Sequence, residues 1–240
     1  MSQEMTGAAV ASDGVSPLAV GTLMMALGDS IAAGIGASHA SEGCMAVLAE
    51  LLTIRCPRLR LLNLSVPGET TETMLAPGGQ LERAECALAE ALAAGETVGP
   101  LTLSIAGNDA MFGGALASAD ARKRTRGNLD EILDRLAAAA AGAGILFSDI
   151  ACLQTVYNPF EDPEARDGHV LPVPVSGGGI NSVLHAAAQR AAIRVAPVSR
   201  AFRGRAAELT WVGSGDIHPT DEGHRVIADA YLRAGGWADD

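Results

Sequence analysis

The sequence predicts an α/β protein, a three-layer α/β/α sandwich with a five-stranded parallel sheet. Five apolar stretches of strand length alternate with longer segments of helical periodicity. The short stretches are apolar throughout, which is typical of parallel strands that helices cover on both faces. Five such units predict a doubly wound sheet of flavodoxin-like order, and sheets of this kind bind ligands at the carboxyl ends of their strands.

Each strand is predicted from its apolar run, and each helix from the segment that follows it. The predicted strands are GTLMMALG, RLRLLNLSV, VGPLTLSIAG, GILFSDIACLQ and IRVAPVSRAF. The predicted helices are GCMAVLAELLTIRC, GGQLERAECALAEALAA, GNLDEILDRLAAAAAGA, INSVLHAAAQRAA and TDEGHRVIADAYLRAGG. Because no long linker or internal repeat interrupts this alternation, we expect a single domain over residues 21–240. The small and polar residues before it predict a disordered lead over residues 1–20.

Composition and charge exclude several classes of partner. The 240 residues carry a formal net charge of −11, and no lysine- or arginine-rich block occurs beyond a short patch at 122–126. Because nucleic acids and anionic membranes bind concentrated positive charge, we expect neither as a partner. No apolar stretch approaches the roughly 20 residues that span a bilayer. The N-terminal segment lacks the basic start and apolar core of a signal peptide, so a cytoplasmic protein is expected.

The four cysteines do not form a metal or redox motif. They lie far apart, and none belongs to a C-x-x-C pair: Cys44, Cys56, Cys86 and Cys152. This spacing predicts neither a zinc site nor a thioredoxin-like site, so buried free thiols are expected.

Polar residues of chemical interest follow the predicted strands. The first strand ends at Gly28-Asp29-Ser30, the second at Pro67-Gly68-Glu69 and the third at Gly107-Asn108-Asp109. The loop after the fifth strand contains His218, just before the last predicted helix. Because the carboxyl ends of parallel strands meet at one edge of a sheet, these residues are expected to form one site.

The turn at Ser30 has three interpretations. A phosphate loop needs GxxxxGK[ST] or GxGxxG, but Gly28, Gly34 and Gly36 have neither spacing. Asp29 would also place a negative charge beside the phosphate, so a mononucleotide site stays only as an alternative. Ser30 could instead cap the helix that follows it. The third interpretation is a nucleophilic serine.

A nucleophilic serine needs a base, a group that orients the base, and donors for the oxyanion. His218 can supply the base, and Asn108 offers a side-chain N–H at the end of the third strand. Gly68 allows close approach of the backbone and can donate its own N–H. Each part is ordinary alone, but their occurrence at consecutive strand ends indicates nucleophilic catalysis.

These motifs resemble the GDSL or SGNH hydrolases, a family of serine esterases and lipases with four invariant residues in separate blocks. ALGDSIAAGIGAS matches the block of Ser30, NLSVPGETT that of Gly68, IAGNDA that of Asn108 and DIHPTDEGH that of His218. Their order and separations agree over residues 23–232. The chain departs from the pattern at two positions: Ala106 begins the third motif, and Gly215 lies where the family has an acid three residues before the histidine.

The resemblance implies the SGNH hydrolase fold and the hydrolysis of carboxylic esters, with short to medium acyl chains, through an acyl-enzyme intermediate. Ser30 would be the nucleophile and His218 the general base. The backbone N–H groups of Ser30 and Gly68 and the Asn108 side chain would form the oxyanion hole. The resemblance implies no metal ion and no organic cofactor, and the expected partner is a small-molecule ester.

Several alternatives stay open at this point. The group that orients His218 is either Asp216, the only acid in the preceding loop, or a backbone carbonyl of residues 214–216. The same site would also suit a carbohydrate O-deacetylase or a lysophospholipase, and the same fold could serve as a non-catalytic binding module. The long Pro- and Gly-rich connection at 157–182 either lines the substrate site or is a solvated loop.

Overall fold

The structure of the chain is a computed structural model, which describes residues 17–112, 118–160 and 179–238. One sheet of parallel strands has the order β2-β1-β3-β4-β5. This confirms the five-stranded parallel sheet and its flavodoxin-like order. The strands are β1 (Leu23–Gly28), β2 (Arg60–Asn63), β3 (Val98–Ser104), β4 (Ala151–Gln154) and β5 (Arg194–Ala196).

The helices fall into long ones that cover the sheet and short ones of four or five residues. The long ones are α2 (Cys44–Leu52), α4 (Gln80–Ala93), α6 (Ala119–Gly142), α7 (Ile180–Arg190) and α10 (Asp221–Ala234). The short ones are α1 (Ser30–Ala33), α3 (Thr71–Met74), α5 (Gly107–Met111), α8 (Val198–Phe202) and α9 (Ala206–Leu209). Within the described ranges, no helix has both the length and the apolar character needed to cross a bilayer.

Helices cover both faces of the sheet, as the apolar strands require. On one face, Leu23, Met25 and Leu27 of β1 belong to one hydrophobic core with buried residues of α4, α6 and α7. On the other face, Met24 and Ala26 belong to a second core with buried residues of α2, α8 and α10. Because successive side chains of a strand point to opposite faces, β1 is buried along its whole length. Each buried leucine or methionine stabilises the fold by about 2 kcal/mol, which explains the continuous apolar run.

The register of the sheet brings the motif-bearing strand ends to one edge. In the parallel pairing of β1 with β3, Gly28 lies opposite Ser104. Short helices begin directly beyond this edge, α1 at Ser30 and α5 at Gly107. The residues that follow the strands therefore lie together.

The last strand is shorter than the sequence predicts. The apolar run IRVAPVSRAF was predicted to be one strand, but β5 ends at Ala196 and α8 begins at Val198. Pro197 lies between them, and a proline has no N–H with which to continue a strand ladder. The prediction was wrong over residues 197–202. It was also wrong for the first part of GILFSDIACLQ, where Phe147–Asp149 form a 3-10 helix and β4 begins only at Ala151.

The predicted disordered lead also needs correction at its end. Residues 1–16 lie outside the described residues, but 17–20 pack against the domain. Leu18 is buried, its N–H donates to the Gly235 carbonyl at 2.8 Å, and its carbonyl accepts from the Trp237 indole at 2.8 Å. Burial of an apolar side chain and two hydrogen bonds hold this segment in place. The connection predicted at 157–182 lies outside the described residues over 161–178.

Candidate active site

Ser30 is presented by a tight turn at the end of β1. Gly28 has φ +143°, and a Cβ at this position would lie 2.1 Å from the Ser104 carbonyl oxygen, so only glycine fits. Asp29 is the N-cap of α1, where its carboxylate accepts the Ile31 N–H at 3.0 Å. The interpretation of Ser30 as the cap is therefore wrong, because Asp29 has that position. Ser30 begins α1 and is half-buried.

His218 is placed directly against Ser30. Its Nε2 lies 2.9 Å from Ser30 Oγ, although the two residues are 188 positions apart in sequence. Its Nδ1 lies 2.5 Å from Oδ1 of Asp216, and the same oxygen accepts the His218 backbone N–H at 3.1 Å. Of the two orienting groups that the sequence left open, the carboxylate is the one in contact with the imidazole.

The backbone and side-chain donors of His218 hold Asp216 in its charged form. The backbone N–H of His218, followed by its side chain, lowers the pKa of the Asp216 carboxyl below the usual value of 3.8. The Asp216 side chain is 49% exposed and that of His218 23%. The pair therefore lies at the edge of the site, in contact with solvent.

A second glycine allows close approach of the His218 loop. A Cβ at Gly36 would lie 2.3 Å from the Pro219 carbonyl oxygen and 2.9 Å from His218 Cβ, and the residue has φ +99°. The Gly36 carbonyl accepts the Trp211 indole N–H at 2.8 Å. The segment after α1 is thereby packed against the loop that carries the histidine.

Gly68 lies in a β-turn, and the residues around it are those that this type of turn favours. The Glu69 N–H donates to the Val66 carbonyl at 3.1 Å, with Pro67 second and Gly68 third in the turn. Gly68 has φ +83°, and this combination of proline and positive-φ glycine is preferred in type II turns. A Cβ at Gly68 would meet nothing within 4 Å, so its conformation, and not lack of space, favours glycine there.

Asn108 connects the third strand end to this turn. It is in the first turn of α5, and its Nδ2 donates to the Glu69 carbonyl at 2.9 Å. Ala106, the N-cap of α5, has φ +77°, a left-handed conformation that strains any residue with a Cβ. Ala106 is the position at which this chain departs from the glycine of the family pattern, and a glycine there would adopt the same conformation without strain.

A cleft of about 470 Å³, measured to include its open mouth, connects Ser30 to Asn108. Gly68 is exposed and is not among the residues that line this cleft. The lining is largely apolar and comes from the loops after β1, β3 and β4 and from the His218 loop: Ile31, Met111, Val156, Tyr157, Pro159 and Ile217.

Three buried polar side chains, joined by hydrogen bonds, lie beside the turn that carries Ser30. The sequence analysis did not predict this arrangement. Gln154 Nε2 donates to Ser104 Oγ at 2.7 Å, and Ser104 Oγ donates to Asp29 Oδ1 at 3.2 Å. Burial raises the pKa of the Asp29 carboxyl to about 6, against an opposing effect of the Ile31 N–H. The signal was present in the sequence, since Ser104 and Gln154 are polar residues that end otherwise apolar strands.

His224 lies near His218 in sequence but has a separate environment. It is buried, its Nδ1 accepts the Cys44 N–H at 3.3 Å, and its Nε2 donates to the Ile35 carbonyl at 3.1 Å. Burial lowers its pKa, so both contacts suit a neutral ring. His224 therefore joins the backbones of Cys44 and Ile35 and has a structural role.

Solved structures of low sequence identity share this fold. LAE5, an alpha/beta hydrolase enzyme from the metagenome of Lake Arreo, Spain, is 23% identical with a TM-score of 0.59, over 91% of this chain and 96% of that chain. The lipase Lip_vut3 from a goat rumen metagenome is 18% identical with a TM-score of 0.61, over 90% and 98%. Axe2, an acetylxylan esterase from Geobacillus stearothermophilus, is 18% identical with a TM-score of 0.56, over 91% and 96%. At these identities the similarity shows a common fold.

Sequence comparison gives the family. Curated protein sequences give no significant match. The sequence profile of the GDSL-like Lipase/Acylhydrolase family matches residues 26–226, a range that includes Ser30, Gly68, Asn108 and His218. The chain therefore belongs to the GDSL-like lipase/acylhydrolase family.

Proposed function

We propose that this protein is a serine hydrolase that cleaves carboxylic esters through an acyl-enzyme intermediate. The observation that carries the proposal is the alignment of three side chains. Ser30 Oγ lies 2.9 Å from His218 Nε2, and His218 Nδ1 lies 2.5 Å from Asp216. A hydroxyl, an imidazole and a carboxylate in this order form the arrangement that activates serine nucleophiles.

The contacts suit the two proton transfers of the reaction. Because Asp216 accepts the Nδ1–H, Nε2 carries the lone pair and accepts the Ser30 hydroxyl proton. As Ser30 Oγ forms a bond to the ester carbonyl carbon, this proton moves to Nε2, and the imidazolium then returns it to the leaving alcohol. Water attacks the resulting acyl-enzyme by the same steps, which releases the acid and restores the Ser30 hydroxyl.

The proposed oxyanion hole uses three donors. As the first residue of α1, Ser30 has a backbone N–H without a partner inside the helix. Asn108 Nδ2 has two hydrogens and gives one to the Glu69 carbonyl, which leaves the other for the oxyanion. The Gly68 N–H is the third donor. Each donor is worth roughly 3 kcal/mol in the transition state.

The cleft supports esters of short to medium acyl chains. Its largely apolar lining suits the acyl group of such an ester. One observation favours carbohydrate O-deacetylation as a second candidate. Trp211 is 46% exposed, and its indole is held at Gly36, which packs against His218. An exposed indole of this kind can pack against the apolar face of a sugar.

Covalent labelling tests the proposal directly. A fluorophosphonate should label the wild-type chain, and Ser30→Ala should abolish both labelling and hydrolysis of p-nitrophenyl esters. Ser182→Ala, at an exposed serine of α7, is the matched control and should retain both. A folded Ser30→Ala variant that still labels would refute the assignment. A wild-type chain that neither labels nor hydrolyses any ester would favour a non-catalytic binding module.

The substrate class requires a panel of esters. Rates on p-nitrophenyl acetate, butyrate, octanoate and laurate should be highest at short to medium length. Acetylated xylo-oligosaccharides and lysophosphatidylcholine test the two alternative activities. A preference for either of these by kcat/KM would replace the simple-ester assignment.

A further inference from the structure

The buried side chain of Gln80 connects two of the loops that form the proposed oxyanion hole. Gln80 is the first residue of α4 and is 1% exposed. Its Oε1 accepts the Gly28 N–H at 2.5 Å, and its Nε2 donates to the Gly28 carbonyl at 2.8 Å. Nε2 also donates to Glu69 Oε2 at 2.8 Å. Both amide hydrogens and the oxygen are therefore bonded.

One end of this connection is the turn that carries the nucleophile. Gly28 is the last residue of β1, two positions before Ser30, and its φ of +143° prevents it from extending the strand in the ordinary way. Gln80 binds both polar groups of this residue, as a neighbouring strand would. The Gly28 carbonyl also accepts the Val66 N–H at 2.9 Å, which brings the Gly68 turn to the same point.

The other end is the residue between the two remaining donors. Glu69 follows Gly68 directly, and its carbonyl accepts Asn108 Nδ2 at 2.9 Å. The Glu69 side chain is buried, and its carboxylate accepts from Gln80 Nε2 and from the Thr73 hydroxyl. Movement of Glu69 would therefore move both the Gly68 peptide and the Asn108 amide.

We propose that Gln80 is a positioning residue that sets the separation between the Ser30 turn and the donors at Gly68 and Asn108. The inference rests on the proposed function, because the oxyanion hole has meaning only for that reaction. Oxyanion donors act at about 2.7–3.1 Å from the developing charge, and a displacement of about 1 Å can cost about 100-fold in rate. A planar amide that binds both loops at once restricts such displacements.

Only an amide satisfies all three partners. Glutamate has an acceptor for the Gly28 N–H, but it has no donor for the Gly28 carbonyl and would face the Glu69 carboxylate. Methionine has a similar length but neither donors nor a strong acceptor, so it leaves buried polar groups unpaired. Gln80→Glu and Gln80→Met thus disrupt the connection in different ways, and Gln80→Glu keeps the contact to the Gly28 N–H.

The test is steady-state hydrolysis of a short p-nitrophenyl ester by the full chain. Urea unfolding of each variant gives the fraction that is folded under the assay conditions, and kcat is calculated for that fraction. Gln80→Glu and Gln80→Met should lower kcat about 10- to 100-fold while KM changes less than about threefold, since the oxyanion contacts strengthen only in the transition state. Gln189→Glu, at an exposed glutamine of α7, adds the same charge and should leave both constants unchanged.

A double-mutant cycle separates positioning from a general loss of stability. If Gln80 acts through the Asn108 donor, the loss in kcat for Gln80→Glu combined with Asn108→Ala should be smaller than the product of the single losses. Adding Glu69→Gln to Gln80→Glu restores a donor–acceptor pair between these positions and should recover part of the lost kcat.

Two results would overturn the inference. One is a folded Gln80→Glu or Gln80→Met variant with kcat within about twofold of the wild type. The other is a fully multiplicative loss with Asn108→Ala. Absence of any Ser30-dependent hydrolysis in the wild-type chain is a different result, because it contradicts the proposed function itself.

Discussion

Replacing Asp216 by asparagine tests whether a charged carboxylate is needed beside His218. In the structure, Asp216 Oδ1 accepts both the Nδ1–H and the backbone N–H of His218. The Oδ1 of an asparagine can accept the same two hydrogen bonds, so the geometry should be kept. Asp216→Asn thus removes the charge that stabilises the imidazolium and leaves the orientation of the ring in place.

The exposure of the pair sets the size of the expected effect. Two opposite charges about 4 Å apart interact by about 1 kcal/mol in water and by about 4 kcal/mol near a protein surface. Because the Asp216 side chain is 49% exposed, an intermediate value of about 1.4–2.8 kcal/mol is expected. This range corresponds to a loss of about 10- to 100-fold in kcat.

The assay is kcat for a short p-nitrophenyl ester at neutral pH, with Asp229→Asn as the control. Asp229 is an acid of α10 that is 50% exposed and pairs with Arg233, so its neutralisation should not change kcat. The reasoning is refuted if Asp216→Asn keeps nearly full activity while His218→Ala is inactive. The enzyme would then work with Ser30 and His218 alone.

Three further predictions concern the neighbouring strand ends. Asn108→Ala should lower kcat about 100-fold or more with little change in KM, because it removes one oxyanion donor; an effect on KM alone would show that Asn108 binds substrate instead. Ala106→Gly should leave the free energy of unfolding within about 1 kcal/mol of the wild type in urea titrations, because relief of the left-handed strain at φ +77° is offset by the entropy that glycine adds to the unfolded chain and by loss of the buried Ala106 methyl group. A loss well above about 2 kcal/mol would contradict this balance. For Asp29, whose pKa is raised to about 6 from 3.8, the folded chain holds the proton more tightly than the unfolded chain. Its contribution to stability is therefore present below about pH 4 and is lost as the pH rises through about 6, so the free energy of unfolding of the wild type should fall relative to Asp29→Asn by about 3 kcal/mol between about pH 3 and about pH 7. Parallel pH profiles of the two proteins would show that Asp29 does not titrate in this way.

The parts of the fold that were predicted correctly depend on local patterns. The continuous apolar run of β1 indicates burial on both faces, and the structure places helices on both sides of Leu23–Gly28. The strand predictions failed at β5 and before β4, where apolar content did not distinguish a strand from other buried segments. The prediction of disorder failed at residues 17–20, where small and polar residues concealed a buried leucine. Pro197 ends the strand by lacking an N–H, and Leu18 is held by contacts with Gly235 and Trp237, more than 200 positions away.

The sequence by itself determined the fold class and the residues that meet at the sheet edge, because β-strand alternation with helices allows few topologies and parallel strands end on the same side. Only the tertiary structure decided which group contacts His218 and which side chain joins the Ser30 and Gly68 loops. Gln80 reaches Gly28 across 52 positions in sequence, and no local pattern records that contact. A hydrogen bond between distant segments depends on how the helices pack against the sheet, so it exists only once the chain is folded.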